Sequence, residues 1–392
     1  MAPKRKPDDD DDVGESTDEF ANPFDDTMEF AKPVYLVAVR DDDQAAAYSV
    51  LKIDAAAVAG NDESRRVRAV AVLTTGTEPG MSFVTARSRH GSWIVGVGGG
   101  LRAGTIIFDP GTSRTFQGTR LGNPKHKPVL ISHGSEVYAI SGTPRVKPSM
   151  DCEPWFESLS FKDGIPSKEC GRWVSWHHLP PPPFFPLILR CHWLIHFDFP
   201  TAGTSGTYAF HVVNKIWEKI HEKNLPFVGQ AVHLGGSLFA ACPISKTAST
   251  STSASVFHMS IKVSSSIPSL SIQKFKVMAS VDKITFPLFC PMGMGSFCCI
   301  RLGPSRLRHR RKTNYRRWRG PKTSCLKEVH VISTAFRIEN IEAIMTHCQS
   351  QESKAKDQLL ALQVKEQMHS CESKEIHGLL GSGIPVVAAL SM

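Results

Sequence analysis

From Val34 onward the chain is a succession of short apolar runs, and this pattern restricts its fold more than any other feature. The runs include PVYLVAV, SWIVGV, GTIIFDP, PVLISHGSEVYAIS, FVGQAVHLGGSLFAAC, ASVFHMSIKV and VHVISTAFRI. Each is about four to eight residues per strand and bounded by Gly, Pro, Asp, Asn or Ser, which is how half-buried strands and their turns are written. Up to residue 338 the spacing predicts an all-β chain.

One unit recurs. GTIIFDPGTSRTF (104 to 116) and GTYAFHVVNKIWEKI (206 to 220) both read as Gly-Thr, a strand ending in Phe, a polar turn, and an aromatic opening the next strand, Phe116 in one and Trp217 in the other. SEVYAISGTPRVKPSMDCEPWFESLSF and SASVFHMSIKV follow the layout more loosely. Each copy comes after a strand rich in Val, Ile, Leu or Trp: SWIVGV, PVLIS, CHWLIHF and QAVHLGGSLFAA. A hairpin after an inner strand, repeated roughly every 40 to 60 residues, predicts propeller blades. Trp93, Trp173, Trp193 and Trp217 are then expected to pack between blades.

The glycine run GVGGGLRAG admits a second reading, a dinucleotide loop. That loop needs G-x-G-x-x-G ahead of a helix and an acidic residue about twenty positions on. Counting from Gly96 and Gly98, Leu101 stands where the third glycine belongs, TIIFDP reads as a strand, and Gly111 to Ser135 holds no acid. The run is therefore expected to be a turn between strands, where absent Cβ atoms allow close packing.

These residues resemble the kelch-type β-propellers. The doublets Gly99-Gly100 and Gly235-Gly236, Tyr138, and the aromatics Trp173 and Trp217 carry the likeness. GTIIFDP, KPVLISHGSEVYAIS, DCEPWFESLSF, WHHLPPPPFFP and LPFVGQAVHLGG are similar to plant, especially grass, kelch-like proteins of unknown function that lack an F-box and are related to the galactose oxidase/kelch superfamily. The resemblance implies a propeller of about six blades over residues 33 to 338, acting as a non-enzymatic protein-interaction scaffold or adaptor. It also implies that PVVAALSM, 385 to 392, is a terminal strand pairing near PVYLVAV. Such a strand removes an exposed sheet edge.

The remaining segments differ in composition. Residues 1 to 28 hold PKRKP, a candidate import signal, then five consecutive aspartates, and are expected to be disordered. Residues 339 to 380 contain good helix formers up to His377 and are expected to be a helical or disordered insertion. WHHLPPPPFFP is expected to cross between blades as an extended rod.

Chemistry has little to stand on in this pattern. The ten cysteines show no paired CxxC spacing, and the sixteen histidines are scattered. No G-x-S-x-G occurs, and no Tyr and Cys pair stands out to support a copper-radical oxidase. Neither catalytic residues, nor a cofactor, nor a metal site is expected. With no apolar leader in the first thirty residues and no long apolar span, the chain is expected to be cytoplasmic or nuclear and off the membrane.

Charge offers the alternative function. The formal net charge is +9, and nine Lys or Arg fall between Arg301 and Arg319. Arg306, Arg308, Arg310, Arg311, Lys312, Arg316, Arg317 and Arg319 would neutralise phosphates, while Tyr315 and Trp318 would stack on unpaired bases. That segment is the candidate nucleic-acid site; the propeller loops are the candidate site for a protein partner.

Overall fold

The computed structural model describes residues 33–42, 45–53, 68–74, 77, 80–99, 104–142, 154–167, 175–184, 206–244, 254–263, 268–277, 288–293, 295–304, 329–350, 363–373 and 386–392. Strands β1 (Val34–Asp42), β2 (Ala45–Ile53) and β3 (Arg68–Leu73) open a first sheet. The second is β4 (Met81–Ser88), β5 (Gly91–Gly98), β6 (Gly104–Asp109) and β7 (Arg114–Gln117), and the third β8 (Val129–His133), β9 (Glu136–Ile140), β10 (Phe156–Ser160) and β11 (His177–His178). A two-stranded sheet follows, β12 (Thr207–His211) with β13 (Ile216–His221).

Two further four-stranded sheets complete the course. They are β14 (Phe227–Gly235), β15 (Leu238–Pro243), β16 (Ser255–Val263) and β17 (Pro268–Lys276), then β18 (Leu288–Gly293), β19 (Ser296–Pro304), β20 (Val329–Ile338) and β21 (Val364–Ser373), with helix α1 (Ile341–Ser350) between the last two strands. The final strand, β22 (Val386–Ser391), returns to pair antiparallel with β1, from Val34 opposite Ser391 onward. The first sheet thus becomes four-stranded in the order β22-β1-β2-β3.

The cores lie between sheets, which makes this a propeller rather than a sandwich. Trp93, Val95 and Ile107 of the second sheet pack with Leu130, Val137 and Leu159 of the third. Equivalent clusters join the first sheet to the second, the fourth to the fifth, and the fifth back to the first. Five four-stranded blades are therefore described where about six were expected. The two-stranded sheet stands beside the third blade, with Phe210 ring-to-ring on Phe156 at 4.8 Å, and its β13 meets β17 of the fourth. Trp93 is buried between blades, Trp217 is half-buried in that aromatic cluster, and Trp173 and Trp193 lie outside the described residues.

The inner strands run in one direction. The Lys127 amide donates to the Gly80 carbonyl (2.7 Å), joining the beginnings of β4 and β8. The Gly295 amide donates to the Leu234 carbonyl (2.6 Å), joining the ends of β14 and β18, and Arg87 donates to the Ser391 carbonyl (3.1 Å), joining the ends of β4 and β22. The molecule consequently has a start face, where inner strands begin, and an end face, where they finish.

Within 339 to 380, expected to be a helical or disordered insertion, α1 covers Ile341–Ser350, and VKEQMHSCES is instead strand β21, paired with β20 over all ten residues. Backbone pairing at an otherwise open edge outweighs the modest helix preference of Lys, Glu and Gln. The strand shows no clean apolar alternation because it is the outermost of its blade.

The glycine run joins two antiparallel strands, with Gly98 opposite Gly104. Gly98 has φ +97°, and a Cβ there would lie 2.7 Å from the Lys125 carbonyl and from Pro128. The Gly99 amide donates to that same carbonyl at 2.9 Å. Gly98→Ala is accordingly expected to destabilise by more than about 1 kcal/mol, since Ala is strained at positive φ. Gly134→Ala, also at positive φ but with open space around it, should cost less. Equal melting temperatures for the two variants would contradict the close packing assigned to Gly98.

Candidate functional site

The connection between the second and third blades, GTRLGNPKHKP (118 to 128), contains no acidic residue and crosses the start face. Its shape is set from below. Glu157 on β10 is fully buried, pairs with the ammonium of fully buried Lys125, and accepts the Gly122 amide at 2.8 Å. Trp176 holds the other end, donating its indole N–H to the Thr105 hydroxyl (3.1 Å) and the Thr119 carbonyl (3.3 Å). Leu121 is drawn into the core between the blades.

This anchoring divides the side chains of the connection. Lys125 spends its charge internally on Glu157, whereas Arg120, His126 and Lys127 are exposed. His178 of β11 lies over Gly122, its Nε2 3.8 Å from Glu157 Oε1, and is also exposed. Glycine at 122 is required here, because a Cβ would fall 2.8 Å from the imidazole and 3.0 Å from the carboxylate. The result is a stripe of cations and imidazoles from the outer edge of the third blade, at His178, to the start of β8, at Lys127.

On the end face the turns carry both signs: Arg89, Asp109, Glu136, Lys162, Asp163 and Lys215. The 161 to 167 loop of the third blade lies against the β4–β5 turn, Gly164 facing His90, and the Phe161 amide donates to the Ser135 carbonyl at 2.7 Å. Asp109 fixes its own turn by accepting the Gly111 amide at 2.9 Å. Helix α1 belongs to this face as well, with Ile341 and Ile344 in the core and Met345 against Gly236. The excursion closes where the Gln363 amide donates to the Asn340 side chain at 3.0 Å. At the tip of the β12–β13 turn Val213 is 77% exposed.

The sequence-predicted residues Arg306, Arg308, Arg310, Arg311, Lys312, Tyr315, Arg316, Arg317, Trp318 and Arg319 lie outside the described residues. The ends of their connection are described: Pro304 and Val329 pair directly, at the start face. Missed at the sequence level were Arg120 and Lys127, since single cations separated by Leu, Gly and Pro form no run. The signal available was the acid-free interval around them. The proline run leaves β11 at the third blade, and its Pro180 carbonyl accepts the Trp217 indole N–H at 2.9 Å, so it leads toward the two-stranded sheet.

Cysteine chemistry is muted. Cys290 and Cys298 face one another across β18 and β19 within the core between the last and first blades. Burial pushes the Cys290 thiol up to about 12 and that of Cys298 well above its ordinary value. Thiols held protonated resist alkylation. Peptide-level mass spectrometry after iodoacetamide treatment should find both unlabelled in the folded protein and labelled after denaturation; ready labelling of the native protein would contradict the packing. Among the described residues no group of three His, Cys, Asp or Glu is placed to hold a metal ion. No helix among them is long and apolar enough to cross a membrane.

The profile of a family described as "Protein of unknown function (DUF1668)" matches residues 31–369. The chain belongs to the DUF1668 family. No curated protein matches it. The DUF1668 match takes in β1 to β20, helix α1 and most of β21, so it spans the blades and both candidate faces, ending before the closing strand β22.

Proposed function

We propose that this DUF1668 chain is a non-enzymatic binding scaffold that holds a protein partner on its end face. The observation that carries this reading is the end face itself. Turns from several blades, fixed by backbone bonds such as Phe161 to Ser135, present charges of both signs on this face, and the β12–β13 turn adds the exposed Val213. Mixed charge around apolar contacts suits a protein surface, where complementary charges steer docking and buried apolar groups supply affinity. Loops on rigid strands are where propellers carry function.

The reading includes six blades of kelch type. β12 and β13 repeat the Gly-Thr, Phe and aromatic layout of β6 and β7, the third and fourth strands of the second blade. They are accordingly the outer half of a sixth blade. Val129 and Ile131, on the side of β8 turned away from the second blade, are exposed apolar side chains that the inner strands of a further blade would cover.

Cross-linking mass spectrometry in native lysate tests the partner face. Links from a stoichiometric partner should concentrate on Lys162 and Lys215. Links confined to Lys127 and Lys223 on the opposite face would overturn the assignment.

A further inference from the structure

The proline run that follows β11 carries a second binding function, separate from the end face. We propose that residues 179 to 184 are a preformed polyproline II ligand, seated on the propeller by one edge and presenting its other edges to a partner protein with an aromatic-lined groove.

Covalent geometry fixes the backbone. The segment reads LPPPPF, so φ is locked at about −65° at each of its four prolines. Leu179, Pro180, Pro181 and Pro182 each precede a proline, which holds them in the extended region of ψ. The two restrictions together describe polyproline II, a helix with three residues per turn.

Burial follows that three-fold period. Pro182 is buried and Leu179, three positions earlier, is half-buried, so one edge of the rod lies against the molecule. Pro180 and Pro183, again three apart, are exposed, as are Pro181 and Phe184. A connection that only crossed between blades would need the first edge alone. Here the outward edges hold apolar rings in water.

The rod is also pinned. The Leu179 amide donates to the Phe156 carbonyl at 2.9 Å, and the Trp217 indole N–H donates to the Pro180 carbonyl at 2.9 Å. The Phe184 ring lies 5.2 Å from that of Tyr208 and 6.1 Å from that of Trp217. Stiffness and anchoring together lower the ordering cost of binding. Phe156 is the first residue of β10, which runs in the same direction as β8 because both are antiparallel to β9. The rod therefore leaves the third blade on the side opposite the end face.

The chemistry of the rod selects its partner. Its four prolines have no backbone N–H, so they cannot join a partner's sheet edge as a paired strand, and the segment contains no charged residue for an ionic partner. It presents carbonyl acceptors set among apolar rings. A groove of aromatic side chains with an N–H or O–H donor matches both features, and SH3, WW and EVH1 modules read polyproline segments in aromatic-lined grooves. Trp217 makes the same kind of contact from within the molecule, on the Pro180 carbonyl.

Surface plasmon resonance with immobilised full-length protein and a panel of purified SH3, WW and EVH1 domains tests the proposal, with poly-L-proline as competitor. At least one domain should bind saturably and be displaced by the competitor. Pro180→Ala/Pro183→Ala should weaken that binding by about tenfold or more, since truncating an interface anchor is worth about fivefold or more at each site. Pro181→Asp, which puts a charge on the outward side, should weaken it at least as much. Melting temperatures close to wild type in these variants would show that the loss is one of binding. Failure of every domain to bind, binding that persists in both variants, or binding that poly-L-proline does not displace would overturn the proposal and leave the run as a connection between blades.

Discussion

A chain ending at residue 385 is expected to lose its cooperative thermal transition. β22 is the inner strand of the first blade, and its side chains serve two cores at once. Ala388 and Leu390 lie in the cluster shared with the second blade, while Ala389 lies in the cluster shared with the fifth. Its ladder with β1 runs from Val34 opposite Ser391 to Ala38 opposite Val386. Its end is fastened by Arg87 and by the Thr85 hydroxyl, both donating to the Ser391 carbonyl. Deletion would expose β1 as an unpaired inner edge, open both cores and break the ring, and an exposed edge also invites aggregation. Leu390→Ala is the graded version and should cost about 2–5 kcal/mol, the range for large-to-small core substitutions. Thermal melts check both; a truncated chain that melts as the wild type does would show that the ring is not closed by this strand.

The second large effect lies in the Lys125 and Glu157 pair. Both are fully buried, so removing one partner strands the other charge away from water, a change that typically costs about 3–5 kcal/mol. Lys125→Met and Glu157→Gln should each fall in that range. The double variant should be more stable than either single one, because it leaves no uncompensated charge and the amide oxygen of the introduced glutamine still accepts the Gly122 N–H. Urea denaturation of the four proteins completes the cycle. Strict additivity would mean that the two charges do not meet in the folded protein.

Much of the blade pattern was legible in sequence because strand alternation and turn chemistry are local. SWIVGV, GTIIFD, GTYAFH and PVLIS are read directly as β5, β6, β12 and β8. The outermost strand β21 was not legible. VKEQMHSCES has the composition of a surface helix, and only the ten-residue edge of β20 makes it a strand. Nor could sequence join Lys125 to Glu157, which lie 32 positions apart and meet only when the connection between blades folds over β10. The stripe made by Arg120, Lys127 and His178 was hidden for the same reason: β11 reaches the connection through pairing with β10, Glu157 opposite His178. Charge clustered along the chain, as in Arg306 to Arg319, is visible without a fold. Charge gathered across blades is not.

The central claim is a rigid ring with a protein-binding end face. Affinity purification of the full chain from its native cells, divided into nuclease-treated and untreated halves, tests it most directly when run beside Val213→Asp/Lys162→Glu. The account predicts protein partners that survive nuclease with the wild-type chain and are lost with the end-face variant. Protein recovery that collapses after nuclease, or partners retained by the end-face variant, would contradict it.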